Sequence, residues 1–203
     1  MNFLGLDAST SAVGWSVLDD DEKIVAHGTF NLKNVKTGLL DKADVLRYNL
    51  VKLKETYNID RIGIEDILQK TAVGSAHTIC VLSGFNCLTQ YICKEVFGIK
   101  AELVKFSVAR KLFNITRADK TEKMKISVFN YISEVYKDTF QINYKKTNKV
   151  TDETYDSSDA VLIAKYLVRT HKNDKHGSES EVVIGKTRKI QKTRKWISLF
   201  LYK

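Results

Sequence analysis

The sequence contains no proline, only three cysteines in 203 residues, and no apolar run approaching a membrane span. The cysteines, Cys80, Cys87 and Cys93, are odd in number, form no CxxC pair and have no neighbouring ligand set. They read as small apolar fillers in a reducing compartment. A span needs about 20 consecutive apolar residues, so no membrane span is expected. The start, Met1-Asn2-Phe3-Leu4-Gly5-Leu6-Asp7, does not read as a signal peptide, because the acid at position 7 interrupts any apolar signal core. An intracellular protein is expected. The lack of proline, beside abundant Lys, Asn, Ile and Tyr, matches AT-rich coding and bears on origin rather than on function.

The length and a hydrophobic fraction of 43% suit one domain with a substantial core. A net charge of +9 and a pI near 9.3 point to a polyanionic partner, although many proteins that bind no nucleic acid share that balance. The charge is uneven. From His171 to Lys203 nine Lys and Arg stand against three acids, so this stretch carries +6 of the total. A body over residues 1–170 and a basic extension over 171–203 are expected, the extension flexible through Asp174 to Ser180. Within it Lys186, Arg188, Lys189, Lys192, Arg194 and Lys195 fall inside ten residues, ahead of the apolar end Trp196 to Tyr202. Such a cluster can track phosphates; the alternative is a solvated basic face on a packed helix.

Three strands open the chain: Asn2 to Asp7, Gly14 to Asp19 and Ile24 to Asn31, with Asp19-Asp20-Asp21 as the turn between the last two. Leu40, Ala43, Leu46, Leu50 and Leu53 recur at helical spacing and predict a helix over Leu39 to Tyr57. Arg61 to Glu65 reads as a central strand ending in a carboxylate. Ile79, Leu82, Phe85, Leu88, Ile92 and Val96 predict a long helix from Gly74 to Val96. Ala101 to Phe106 reads as a further strand. Asp119 and Glu122 resemble a capping box opening a helix through Tyr136. A Lys-rich loop from Asn143 to Thr154 leads to a last helix, Tyr155 to Val168. Strands first, then alternating helix and strand, is a mixed α/β order.

Four acids stand out by position. Asp7 and Glu65 end predicted strands, where sites are built in open α/β sheets. Asp156 and Asp159 are three apart, so both lie on one face of the last helix, the face carrying Ala160, Ile163, Ala164 and Leu167. Carboxylates on a core-facing stripe are costly unless a cation neutralises them, and Mg²⁺ with oxygen ligands does this. Two divalent ions about 4 Å apart suit phosphodiester hydrolysis. The alternative makes Asp156 a helix cap and Asp159 a satisfied surface acid.

Several segments together resemble the motifs of one known family. Leu4-Gly5-Leu6-Asp7-Ala8-Ser9 followed by Gly14-Trp15 resembles its opening motif, with Ala8-Ser9 where Pro-Gly is usual. Ile64-Glu65 with Ile67-Leu68 resembles the second motif, Arg117-Ala118-Asp119-Lys120 the basic segment before a helix, and Asp156-Ser157-Ser158-Asp159-Ala160 the terminal Asp-x-x-Asp-Ala motif. The family is that of the RuvC Holliday-junction resolvases; the resemblance spans about residues 2 to 168 in order and implies an RNase H-like mixed five-stranded sheet with helices on both faces. It further implies a Mg²⁺-dependent endonuclease acting on branched DNA, with two ions per site and Mn²⁺ able to substitute. Asp7, Glu65, Asp156 and Asp159 would be the metal ligands. Lys120, or Lys123, would contact the scissile phosphate. Arg110 or Lys111, together with Arg117, would bind DNA, and Leu68 matches a wedge position or is a plain loop leucine. Ser75-Ala76 through Gly84 resembles the dimer helix of the family, which implies a homodimer. The basic stretch with Lys186, Arg188 and Lys189 has no counterpart there.

Three rival functions remain. A non-catalytic nucleic-acid-binding module would bind junctions without cutting them. A nuclease of the same fold could act on another substrate, such as an RNA–DNA hybrid, because fold does not determine substrate. Asp7-Ala8-Ser9-Thr10 also resembles the phosphate-binding opening of actin-like sugar kinases, but those need a duplicated domain and Gly-rich adenosine-binding segments that the chain lacks.

Overall fold

In the computed structural model, which describes residues 1–66, 75–119 and 121–174, the first strand β1 (Asn2–Ala8) alternates between two faces. Leu4, Leu6 and Ala8 enter one core, whereas Phe3 enters another, as the period of two in a strand requires. The strand β2 (Ala12–Asp19) pairs antiparallel with β1, and β3 (Ile24–Asn31) antiparallel with β2. Asp19 accepts at Oδ1 from the amides of Asp21 and Lys23, both at 2.9 Å, which closes the turn the three aspartates predict.

The helix α1 (Leu39–Thr56) crosses to β4 (Arg61–Glu65), which lies parallel to β1. A second crossover, α2 (Ala76–Phe97), leads to β5 (Glu102–Val104), parallel to β4. The sheet order is β3-β2-β1-β4-β5. One face packs Leu46, Leu50 and Leu53 of α1 and Phe85, Ile92 and Val96 of α2 against Leu4, Leu6, Ile62 and Ile64. The other is covered by α3 (Phe106–Leu112), α4 (Met124–Val135) and a last helix, α5, from residue 152. Phe3, Leu18, Val128, Ile132, Leu162, Ile163 and Leu167 are fully buried there. Each such side chain contributes about 1.5–3 kcal/mol on leaving water. The result is the five-stranded mixed sheet with helices on both faces that the resemblance implies.

Several boundaries differ from the periodicity. Leu40 is 69% exposed, because the first turn of α1 lies at the mouth of a groove facing α2 rather than over the sheet. In α2, Phe85, Ile92 and Val96 are buried, but Ile79, Leu82 and Leu88 remain partly exposed. The strand predicted to run to Phe106 stops at Val104, and Phe106 opens α3, which has Lys105 at its N-cap. Asp119 does accept from the Glu122 amide at 3.0 Å, and Glu122 accepts from the Ala118 amide at 2.8 Å. That reciprocal pair closes a turn, however, and α4 begins only at Met124. The Lys-rich loop holds a small hairpin, bridged between Tyr144 and Val150.

The chain divides into Met1–Val168 and Arg169–Lys203; in the second unit, residues 169–174 are helical. Leu68, Lys120, Lys186, Arg188 and Lys189 lie outside the described residues. Among the described residues no helix is long and apolar enough to cross a membrane.

Candidate active site

Glycines decide where α5 can lie. Gly5 of β1 pairs with Gly63 of β4, and Gly14 of β2 pairs with Asp7. A Cβ on Gly5 would stand 2.2 Å from the Ala160 carbonyl oxygen and 2.6 Å from the Ala164 nitrogen. One on Gly14 would stand 2.1 Å from the Asp156 carbonyl oxygen. The helix backbone therefore rests directly on the sheet backbone, a close approach only glycine permits. Asp156, Ala160 and Ala164 follow each other at four-residue steps, so the contact stripe of α5 ends at Asp156.

The same pleat brings the strand acids to that end. Asp7 follows Gly5 by two residues and Glu65 follows Gly63 by two, so both side chains share the α5 face near the C-terminal ends of parallel strands. Glu65 is 5% exposed; Asp7, Asp156 and Asp159 are half-buried. All four line one cavity of about 510 Å³, together with Ser9, Asp66, Phe106, Ser107, Arg110, Met124 and Lys125.

Buried and half-buried polar contacts hold this frame. Asn86 of α2 donates from Nδ2 to the Glu65 carbonyl at 2.9 Å, and Gln90 donates to Asn86 at 2.8 Å. The amide of Asp66 donates to the Val104 carbonyl at 2.9 Å. Ser9 donates to the Ala12 carbonyl at 2.8 Å, and Lys42 reaches the Thr10 carbonyl at 2.6 Å, which pins the turn after Asp7. Between the two helix aspartates, Ser157 and Ser158 donate back to the carbonyls of Thr154 and Tyr155 at 3.0 and 2.8 Å. Their hydroxyls are thereby satisfied inside the core.

Burial raises the Asp156 carboxyl above the ordinary aspartate range; Asp152 and Glu153 push it the same way, and Lys125 and Lys33 oppose them. The cavity thus holds hard oxygen donors, the donor chemistry suited to Mg²⁺ or Mn²⁺. Among the described residues, no three His, Cys, Asp or Glu side chains form a ready-made metal cluster. The acids line a common cavity without converging into a coordination shell.

The cations sort differently from the sequence expectation. The cavity takes Arg110 and not Lys111, which is exposed. Arg110 lies over the Phe106 ring at 5.6 Å and donates to the Phe106 carbonyl at 3.4 Å, so α3 itself aims it. Lys123 lines a neighbouring cavity of about 610 Å³, and the exposed Arg117 lines neither. Lys125 lines both, and sequence reasoning missed it because the helix was expected to start five residues earlier. Asp66 was missed as well; its only signal was standing next to Glu65 where the strand ends. Asn86 could have been found as a polar residue within the apolar stripe of α2.

No protein-family model matches the chain. Among curated proteins it is similar to the crossover junction endodeoxyribonuclease RuvC of Ehrlichia ruminantium, with 25% identity over 115 residues, 53% of this chain and 71% of the relative. The RuvC of Ehrlichia canis is 24% identical over 111 residues, 53% of this chain and 70% of that protein. Among solved structures, Thermus thermophilus RuvC superposes with a TM-score of 0.58 at 10% identity, covering 84% of this chain and 97% of that one. The same enzyme in complex with a Holliday junction substrate gives 0.55 at 8% identity, over 81% and 90% of the two chains. The yeast mitochondrial Holliday junction resolvase Ydc2 gives 0.56 at 15% identity, over 86% and 80%. The fold is RNase H-like. Within that class the chain is similar to RuvC proteins in sequence over about half its length and shares their fold over most of it.

Proposed function

We propose that the chain is a structure-selective endonuclease that resolves four-way or closely related branched DNA junctions by divalent-metal-dependent phosphodiester hydrolysis. The observation that carries this reading is that Asp7, Glu65, Asp156 and Asp159 all line one cavity beside Arg110 and Lys125. Those four acids would hold Mg²⁺, two ions per site, with Mn²⁺ able to substitute. Metal bound there supplies a water nucleophile at neutral pH and charge stabilisation of the leaving oxygen. The residues of the chain do the rest. Arg110 presents a planar donor set to a phosphate, and Lys125 adds a point charge at the rim. Asn86 keeps the end of β4 in register, so that Glu65 faces the cavity. Lys120 and Lys123 remain the other candidates for contacting the scissile phosphate. Residues 1–170 form the nuclease domain and 171–203 a basic extension that binds DNA through Lys186, Arg188 and Lys189.

A four-way junction offers two equivalent strands to cut, and a two-fold dimer places one site at each. The partly exposed Ile79 and Leu82 of α2 suit an interface between copies. A Cβ on Gly84 would meet only Leu39 Cδ2 at 3.5 Å, so packing against α1 does not explain the glycine there.

A module that binds junctions without cutting is the second reading, since among the described residues the acids line a cavity without forming a three-ligand cluster. Incubating the protein with a synthetic four-way junction, a linear duplex and an RNA–DNA hybrid, each with and without Mg²⁺, separates the two. Metal-dependent cutting of the junction supports the nuclease; tight binding with no cutting in any divalent ion supports the module.

A further inference from the structure

We propose that the hairpin at residues 143–151 is a clamp for the phosphodiester backbone of the DNA, forming the far wall of a basic groove that opens off the acid cavity. The inference rests on the nuclease reading above and adds a surface that reading does not use. The groove, about 610 Å³, is lined by Lys123 and Lys125 from the start of α4 and by Lys145 and Lys149 from the hairpin. Lys125 borders both this groove and the acid cavity, so the two adjoin at that side chain.

The hairpin is built to hold its lysines in place. Tyr144 bridges to Val150, and the Lys145 amide donates to the Lys149 carbonyl at 2.7 Å. Asn148 takes a positive φ of 56° at the tip, a conformation asparagine tolerates. At the base, the Thr151 amide donates to the Asn143 carbonyl at 2.9 Å, and the Asn143 amide donates to Thr154 Oγ1 at 3.1 Å, which ties the hairpin to the start of α5. Its side chains therefore have a position set by the same helix that carries Asp156 and Asp159.

The charge of the groove is under-compensated. Four lysines face Asp152 and Glu122. Asp152 bonds Lys145 at 3.2 Å and stands 3.9 Å from Lys125, and the Lys145 hydrogen bond, followed by the nearby lysine charges, lowers its carboxyl below the usual range. Glu122 is already occupied by the Ala118 amide and the Ser127 hydroxyl. Lys125 also lies over the Tyr155 ring at 4.8 Å, which keeps its ammonium at the junction of the two cavities. A row of ammonium groups leading to a carboxylate cavity fits a strand whose successive phosphates occupy the groove while one enters the site. Asp152 acts as the internal anion that DNA displaces.

The test is junction binding measured by fluorescence anisotropy in the full-length protein without divalent metal, across a series of salt concentrations. The Lys145→Gln, Lys149→Gln double variant should shed counterion-releasing contacts, so the slope of log affinity against log salt should become shallower by about 2. Asp152→Asn should act in the opposite direction and tighten binding, an effect no loss of folding would produce. An unchanged slope in a double variant that melts like wild type, or weaker binding by Asp152→Asn, overturns the clamp. If the double variant does not fold, the direction of the Asp152→Asn effect decides alone. A wild-type chain that binds no junction overturns the clamp and the nuclease reading together, whereas a wild-type chain that binds and cuts beside an unchanged slope overturns the clamp only.

Discussion

The α-carbon of Gly14 lies so close to Asp156 that a methyl group on it would stand 2.1 Å from the Asp156 carbonyl oxygen. The second strand thus sets the height of the helix end that presents the acid pair. The neighbour is backbone and cannot swing aside, so Gly14→Ala must push the start of α5 off the sheet. The expected cost is about 1–3 kcal/mol in stability, the usual range for overpacking, with a loss of junction cleavage larger than the loss of folded protein at low temperature. Chemical denaturation and a cleavage assay on the same preparation check both; a fully active Gly14→Ala variant would contradict the geometry.

His27 predicts an acid-side loss of stability. Its ring stacks on Phe140 at 4.6 Å and its Nε2 accepts from the Gln141 amide at 3.1 Å, which places the proton of the neutral ring on Nδ1. Burial lowers its pKa below the ordinary imidazole value of 6.5. Above that pH neither the folded nor the unfolded chain protonates the ring, and the group contributes nothing to the pH dependence. As the pH falls through 6.5, the unfolded chain takes up a proton that the folded chain resists, so stability drops until the folded pKa is passed. Denaturation midpoints measured from neutral pH downwards should fall below this point, and His27→Gln should flatten the fall. An identical pH profile in that variant would remove His27 as the cause.

Lys165 is buried and pairs with Glu22, while its ammonium lies 5.3 Å from the centre of the Phe113 ring and 5.3 Å from that of Tyr136. Removing one partner leaves the other charge in the core. Glu22→Gln should therefore destabilise the fold by about 3–5 kcal/mol, whereas a Glu22→Gln, Lys165→Met double variant should recover most of that loss. Thermal melts of the two variants decide the matter; a single variant no less stable than the double would show that the pair adds nothing.

The thiols report on α2. Burial pushes Cys93 up to about 12, so it should react with a thiol reagent only on unfolding, while the exposed Cys80 and Cys87 should react in the native protein. If α2 is the interface between copies, labelling of Cys80 and Cys87 should slow as protein concentration rises through the dimer transition seen by sedimentation. Concentration-independent labelling of a sedimenting dimer would place the interface elsewhere.

Most of the fold was legible because the two periodicities are clean. Leu4, Leu6 and Ala8 alternate with Phe3, Gly5 and Asp7, and Ala43, Leu46, Leu50 and Leu53 repeat at helical spacing. The four acids were legible for a related reason: two end strands, and two share a face with buried alanines. What escaped depended on tertiary contact. Leu40 fits the α1 period yet lies exposed at the groove facing α2, and α3 is too short at seven residues for any period to register. The Asp119 and Glu122 pair makes the bonds of a helix cap within a turn, so the start of α4 was placed too early and Lys125 was overlooked. The roles of Gly5 and Gly14 appear only once α5 is seen lying on them.

The central claim is that Asp7, Glu65, Asp156 and Asp159 form the metal-dependent centre of a junction-cutting enzyme, and the most direct measurement compares cleavage and binding of one synthetic four-way junction by wild type and acid variants, with and without Mg²⁺. The wild type should cut only with metal. Asp7→Asn should lose cleavage by more than about 100-fold, beyond the range seen when a residue merely supporting a ligand is changed, and should bind the junction as well or better, because a negative charge facing phosphate has gone. An Asp7→Asn, Glu65→Gln double variant that cuts at near wild-type rate would contradict the account.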